Sequence, residues 1–343
     1  MPTPCAKPLG FSPYAQMGVD AVSDLTHRWE PIPGTEKIHA PGGPFELVAE
    51  DVLGVPTTVF KNRHANLRAS LQATAARIPD TPHLVFPDRG IELTFADVEA
   101  SVARIAEVLA GHGVGKGDVV AFAAANVPAY TVAWWATVCS GAVVSSLNGW
   151  WTPHELAYGI ELTKPKVLIA DARRIERLRE VGVPDGLVLI TDTDLEPLLG
   201  PARAGDPALP DTPIAEDDPA IILFTSGTTG RPKGATISHR QFVNTAQVVA
   251  YQLALAAMFM PPDPGAPPRP QSSVLCVSPL FHVSGALPLA SAAANGQKMV
   301  FPPVGKWDEL THLQLTEDHH VGGWSGVPTQ FWRLLEHPRF DEF

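Results

Sequence analysis

The sequence predicts an α/β fold of layered sheets flanked by helices, and three features point that way. Strand-like apolar runs alternate with helical periodicities through most of the chain, the signature of parallel strands joined by helical crossovers. From Val119 to His154 there is no Asp, Glu, Lys or Arg, as elements buried on both faces of a sheet require. An apolar strand over residues 221–224 then runs straight into a glycine- and hydroxyl-rich loop. With 343 residues, 45% hydrophobic and 18% charged, the chain can bury a large core and is not compositionally disordered.

Residues 1–63 are rich in Pro and Gly, lack a sustained period and read as an extended arm. A first α/β subdomain is expected over 64–200 and a second, carrying the glycine-rich loop, over 201–343. Leu67, Leu71, Ala75 and Ile78 step by four, four and three residues, which marks an amphipathic helix. Thr94 suits the N-cap of the next helix, where Phe95, Val98, Val102, Ile105 and Leu109 recur until Gly111 and Gly113. The uncharged run resolves into a strand (119–125), a helix (128–139) and a strand (142–147). Asn126, Pro128, Gly141 and Ser145-Ser146 interrupt it too often for a membrane span. Further strands are expected at 166–170 and 187–191. Residues 194–218 hold Pro197, Pro201, Pro207, Pro210 and Pro213 and read as a linker.

Beyond the loop, residues 235–239 alternate like a strand, and a long helix follows from about 240 to 258. Residues 241–262 are uncharged but include Gln241, Asn244, Gln247 and Gln252, so a buried or amphipathic helix is expected there, not a membrane span. Residues 261–270 read as a stiff Pro-rich connector. Their composition also fits an SH3-type ligand, but periodic segments flank them on both sides. Strands at 274–277 and 298–301 complete the alternation, and no internal repeat is visible.

A net charge of −11 argues against a nucleic-acid partner, which would want a basic stripe. It equally disfavours electrostatic adsorption to anionic lipid, and leaves other peripheral membrane contact open. Cys5, Cys139 and Cys276 are odd in number and far apart, giving neither a disulfide framework nor a metal set. A reducing cytoplasm is the simplest location. The first residues lack the apolar core of a signal peptide. Oligomeric state is not legible.

The loop itself carries the densest chemistry. Gly227, Gly230 and Gly234 let the backbone turn and approach a ligand closely. Thr225, Ser226, Thr228 and Thr229 supply hydroxyls, and Lys233 one mobile positive charge. Such a set suits a polyphosphate, although a surface hairpin would share much of the composition. The P-loop pattern G-x-x-x-x-G-K-[ST] is not met, because Lys233 follows Pro232 and precedes a glycine, leaving no hydroxyl beside it for Mg²⁺. A strand-loop-strand cradle, without a helix dipole, is expected instead.

Phe-Thr-Ser-Gly-Thr-Thr-Gly-Arg-Pro-Lys-Gly at 224–234 resembles the phosphate-binding signature of the adenylate-forming enzymes, which include acyl- and aryl-CoA synthetases, luciferases and peptide-synthetase adenylation domains. Pro279-Leu-Phe-His-Val-Ser-Gly285 resembles the next motif of that superfamily. Leu93-Thr-Phe-Ala-Asp97 resembles its early segment and Ser325-Gly-Val-Pro-Thr329 a later one, in the family's order. Asn148-Gly-Trp-Trp-Thr-Pro-His-Glu-Leu156 looks most like fatty-acid–CoA ligases.

The resemblance implies activation of a fatty or other carboxylic acid by ATP, forming acyl-AMP and pyrophosphate, followed by transfer to coenzyme A. It implies that Thr225, Ser226, Gly227, Thr228, Thr229, Gly230 and Lys233 hold the triphosphate. His282 would be an active-site wall beside the acyl carbonyl and adenylate, although a lone His among apolar neighbours can equally be core. Val283, Gly285, Gly326, Val327 and Pro328 would border the acyl group, or serve as ordinary packing. The family's adenine, ribose and metal motifs and its small C-terminal domain with a lysine match no segment here. An N-terminal portion of such an enzyme is therefore expected, with the Mg²⁺ ligand in the missing part. A non-catalytic nucleotide- or acyl-binding module and a ligase loading an acyl carrier protein remain alternatives. His319-His320 lacks a third ligand and reads as a helix end. Ser226 lacks the flanking glycines of a nucleophile elbow, and Trp134-Trp135 and Trp150-Trp151 read as core and pocket packing.

Overall fold

The computed structural model describes residues 32–225, 231–261, 265, 270–324 and 326–343. Internal packing divides the chain into one unit ending at Arg63 and another over His64–Phe343. In the first, a short helix (Glu36–His39) precedes an antiparallel hairpin of β1 (Leu47–Val52) and β2 (Val55–Phe60). Leu53 and Gly54 both take positive φ, 54° and 84°, as the tightest hairpin turn demands. An extended arm is thus not the whole account of this region. Only Val59 of these strands is buried, so the alternation that marks a strand is faint.

The second unit holds β3 (Pro82–Phe86), β4 (Ile91–Thr94), β5 (Val119–Ala123), β6 (Val143–Ser146), β7 (Val167–Ala170), β8 (Val188–Thr191), β9 (Pro219–Thr225), β10 (Lys233–Ser238), β11 (Ser273–Leu275), β12 (Lys298–Val300) and β13 (Val321–Trp324). Six of them form a sheet in the order β10-β9-β6-β5-β7-β8, parallel except for the β9–β10 hairpin. The other five run β13-β11-β12-β3-β4, parallel except for β3–β4. Sheet membership crosses residue 200: Met299 pairs with Leu84, and Ile222 with Ser145. The expected division at 200/201 is therefore not a division between sheets, because pairing is decided by long-range packing and not by order.

The six-stranded sheet is covered on both faces. Val120, Phe122, Val167 and Ile169 join the larger core, with helices Leu67–Arg77, Phe95–Gly111, Pro128–Cys139 and Val283–Ala294. The alternate residues Ala121, Ala123, Leu168 and Ala170 face helices Pro153–Thr163 and Ala172–Val181 through Leu156, Ile160, Ile175 and Leu178. Every residue of Pro128–Cys139 is buried, which accounts for the uncharged run without a membrane. The Thr94 N-cap is a full capping box, its side chain accepting from Asp97 N while Asp97 accepts from Thr94 N.

The expected linker at 194–218 is pinned down. It starts with a helical turn (Asp192–Leu195) and a 3₁₀ turn (Glu196–Leu198). Buried Arg104 then donates to the carbonyls of Leu198 and Gly200, both at 2.7 Å, and pairs with Asp206. Arg68 donates to Thr212 O at 2.8 Å.

The long helix spans His239–Phe259, and here the expectation of a buried or amphipathic helix needs correcting. Its buried residues are His239, Phe242, Val243 and Ala246, all in the first half. No residue from 252 to 260 is buried.

Candidate functional site

Parallel strands point their carboxyl ends, and the loops that follow, to one side of a sheet, where α/β folds gather ligands. Here the segments after β5, β6, β11 and β12 meet. Ala124, Ala125 and Asn126 follow β5, Trp150 follows β6, Val277 and Pro279 follow β11, and Pro302 to Gly305 follow β12; together with Arg173, Arg174 and Arg177 they line a cavity of ≈ 360 Å³. A second cavity of ≈ 390 Å³ shares Trp150, Val277, Pro279, Pro302, Pro303 and Gly305 with the first. It continues to Lys306, Trp307, Asp308, His312, Val327 and Gln330.

Two aromatic contacts join this groove to the glycine-rich loop. Trp151 meets Phe224 edge-on at 4.9 Å, one residue before Thr225. Its neighbour Trp150 meets Phe281 edge-on at 5.2 Å. The turn carrying both indoles is fastened from behind. Gly149 O accepts from Arg174 Nε at 3.1 Å and from Arg177 Nη1 at 3.2 Å, and Trp151 O also accepts from Arg177 at 3.2 Å. Arg174 is itself paired with Asp171, the N-cap of the helix it sits on. A Cβ on Gly149 would lie 3.0 Å from Arg174 Nη2, so glycine lets the guanidinium reach the carbonyl. None of these arginines stood out in the sequence; a charged helix after a strand reads as a solvated face.

At the loop, Thr225 pairs across the hairpin with Lys233, and its hydroxyl donates to Lys233 O at 3.4 Å. Both residues are exposed. Ser226, Gly227, Thr228, Thr229 and Gly230 lie outside the described residues. The flanks are strand on both sides, the strand-loop-strand arrangement expected. A Cβ on Gly234 would meet Ile222 Cγ2 at 2.9 Å, so glycine permits the close approach there. Lys233, Gly234, Tyr158 and Thr236 line a third cavity of ≈ 380 Å³, with the Arg231 guanidinium 5.6 Å from the Tyr158 ring centre. Lys233 thus sits in a different cavity from Phe281 and Val327.

His282 is exposed and is the N-cap of helix Val283–Ala294. Its Nδ1 accepts from Ser284 N at 3.2 Å and lies 2.8 Å from Ser284 Oγ. A nitrogen that accepts a backbone N–H carries no proton, so the neutral ring holds its proton on Nε2. His282 is therefore a surface ring on a helix end, not a core histidine. Val283 is exposed beside it, and Gly285 and Ala286 are buried. Gly285, expected to border the acyl group or to serve as packing, has no free space beside it: a Cβ there would lie 2.3 Å from Pro279 O. Its smallness serves the tight return of its own motif, and Ala286 packs in the core.

Asn126, which the sequence suggested only as a helix interruption, holds that motif in place. Its Nδ2 donates to Ser278 O and its Oδ1 accepts from Leu280 N, each at 2.9 Å. Gly326, Val327 and Pro328 are exposed, and Pro328 opens helix Pro328–Leu335. Of the three, Val327 lines the second cavity. Ser325 lies outside the described residues.

The sequence matches the family of AMP-binding enzymes over residues 71–343. The chain belongs to that family. Among curated relatives, it is 36% identical over 190 residues to the medium/long-chain-fatty-acid–CoA ligase FadD6 of Mycobacterium tuberculosis, covering 54% of this chain and 31% of that protein. It is 27% identical over 321 residues to the putative acyl-CoA synthetase YngI of Bacillus subtilis, covering 82% of this chain and 54% of that one. The chain thus spans between 31% and 54% of the length of these two relatives. The N-terminal domain of FACL13 from Mycobacterium tuberculosis superposes with a TM-score of 0.68 at 23% identity, over 81% of this chain and 66% of that one. ATP-bound MatB from Rhodopseudomonas palustris gives 0.64 at 28% identity, over 80% and 52%. The fold is thus that of the N-terminal domain of adenylate-forming enzymes.

In this AMP-binding enzyme, burial holds the Cys276 thiol up at about 12, which leaves it protonated and inert beside the groove. Burial also lowers His312, at the far end, to about 4. Its Nδ1 accepts from Trp307 Nε1 at 3.3 Å, so it is a neutral packing ring. Among the described residues no cluster of His, Cys, Asp or Glu is placed to hold a metal ion. Mg²⁺, which the family resemblance implies, has no fitting donor set there.

Proposed function

We propose that this chain carries the nucleotide- and acid-binding portion of an ATP-dependent fatty-acid–CoA ligase. In that reaction the acid's carboxylate attacks the α-phosphorus of ATP and pyrophosphate leaves with the broken P–O bond. The thiol of coenzyme A then attacks the acyl carbonyl, forming the thioester and releasing AMP. Such transfers need alignment and charge neutralisation more than covalent help from side chains. Lys233 and the hydroxyls of residues 225–229 would take the triphosphate. The Phe281-His282 rim would border the adenylate, with the Nε2 proton of His282 free to donate. The assignment of a fatty acid rests on the FadD6 likeness.

The observation that carries this reading is the groove at the strand ends, joined to the loop through Trp150 and Trp151. It also favours coenzyme A over a carrier protein as acceptor. Apolar walls of Ala124, Ala125, Val277 and Pro302 suit a pantetheine arm, and exposed Arg173 has no partner among the described residues. Its charge suits the additional phosphates that coenzyme A carries beyond its arm. A cytoplasmic location belongs to the same proposal, with Cys139 and Cys276 free and buried.

Calorimetric titration of the chain with ATP and with coenzyme A tests both parts. Lys233→Ala is expected to weaken ATP by about tenfold, one charge-assisted contact. Arg173→Glu should weaken coenzyme A and leave ATP unchanged. Unaltered ATP affinity in Lys233→Ala would remove that residue from its role. Acyl transfer to a carrier protein but not to coenzyme A would sink the acceptor assignment.

A further inference from the structure

The second half of helix His239–Phe259 has no place in the function above. Seven successive apolar residues, Leu253, Ala254, Leu255, Ala256, Ala257, Met258 and Phe259, end it, Met260 follows as its C-cap, and none of the eight is buried. Phe259 is 55% and Met260 72% exposed. Globular proteins rarely leave so much contiguous apolar surface in water without a use for it.

We infer that this helix end inserts into the surface of a lipid bilayer. Three observations choose lipid over a protein partner. The exposed residues Val248, Leu253, Met258, Phe259 and Met260 do not share a face. At about 100° per residue they point in well-separated directions around the axis. A second protein, or a second copy of this chain, covers one side of a helix; an apolar liquid covers all of them. Next, no Asp, Glu, Lys or Arg lies between Arg240 and Asp263, so immersion strips no charge of water and needs no ion-pair rim. Finally, the helix beyond its last buried residue, Ala246, to Phe259 amounts to about 20 Å at 1.5 Å per residue. That is short of the ~30 Å hydrocarbon core, so the end dips into one leaflet and does not cross.

The contrast with the other exposed apolar helix supports the choice. In Pro328–Leu335, Trp332 and Leu335 are exposed while Leu334 is buried, a one-sided arrangement that a protein surface could cover. The net charge of −11 adds that attraction to lipid must be apolar and not electrostatic. Binding is therefore expected on zwitterionic phosphatidylcholine and to survive high salt. The inference does not depend on which acid the enzyme activates.

Flotation of the full chain with phosphatidylcholine vesicles, at low salt and in 1 M NaCl as an order-of-magnitude screening condition, tests it. The chain should float in both. The double variant Phe259→Glu, Met260→Glu should reduce the partition coefficient by at least about tenfold, because it removes apolar burial and adds charge. Both side chains are mostly exposed, so its thermal melting should match wild type; if melting shifts, Phe259→Lys alone is read in its place. Leu335→Glu should float like wild type. Failure of wild type to float overturns the inference, as does equal loss in Leu335→Glu, which would mean general stickiness. A concentration-dependent dimer that the double variant abolishes, with no flotation, would assign the surface to a second copy.

Discussion

His282 does two jobs that substitution can separate. Its ring caps the helix Val283–Ala294 by accepting from Ser284 N, and in the proposed function its exposed side chain would border the adenylate. Asn is a good N-cap and Ala a poor one. His282→Asn should therefore keep the urea midpoint while weakening binding of a non-hydrolysable acyl-adenylate. His282→Ala should show the same binding defect and lose about 1 kcal/mol of stability as well. Equal binding in His282→Asn and wild type would reduce His282 to a cap. Three residues on, Gly285→Ala tests a different claim. Its Cβ would collide with Pro279 O, a backbone atom that moves only with its whole turn, so a loss of about 1–3 kcal/mol is expected in urea unfolding. If smallness there served only to leave room for an acyl chain, stability would be unchanged and long acids alone would bind worse.

At the scale of elements, the turn bearing Trp150 and Trp151 is held by Arg174 and Arg177 on the helix Ala172–Val181. Arg174→Met keeps the stem and removes the side-chain donors, leaving Gly149 O less satisfied and Asp171 with its capping bond but without its ion pair. A cost of about 1–3 kcal/mol is expected, together with weaker binding in the groove and little change for ATP. Loss of ATP affinity of the same size would mean that the turn supports the loop through Phe224 more than the groove through Phe281. This network also shows what was legible in the sequence. The strand-helix-strand run, the strand-loop-strand cradle, the Thr94 capping box and the Phe281-His282 motif are local patterns, and each was readable from neighbours a few residues apart. Helix Pro153–Thr163 was readable too, from Thr152 and Glu155, which form a capping box, but its motif drew attention to the tryptophans instead. The arginine clamp, Asn126 on Ser278 and Leu280, and β3 beside β12 depend on contacts across tens to hundreds of residues. No local period encodes them. The pinned segment at 194–218 is the same case: beyond its opening helical turns its prolines keep it out of helix and strand, but Arg104 and Arg68, which hold it, lie 94 and 144 residues before the carbonyls they reach.

For the whole molecule, buried histidines set the response to acid. His83, His239 and His312 are each buried with Nε2 unpartnered among the described residues, and burial lowers all three to about 4. In the unfolded chain they return to about 6.5. Between those values the unfolded chain binds protons that the native fold refuses, so stability is full above pH ~6.5 and falls as pH drops towards ~4. Each histidine contributes a slope of up to about 1.4 kcal/mol per pH unit within that window. Asp218, lowered by its hydrogen bond from Lys116, acts in the same direction but only as pH falls below the usual carboxylate range, so the two effects separate on the pH axis. His83 offers the clearest test. Its Nδ1 donates to Gln297 O at 3.0 Å and its ring stacks on Phe95; His83→Asn can keep the donor but cannot titrate. Urea unfolding across the window should give His83→Asn a slope shallower by one proton, whatever stability it loses at neutral pH. Identical slopes for variant and wild type would show that His83 is charged in the native fold, and that acid destabilises this enzyme through other groups.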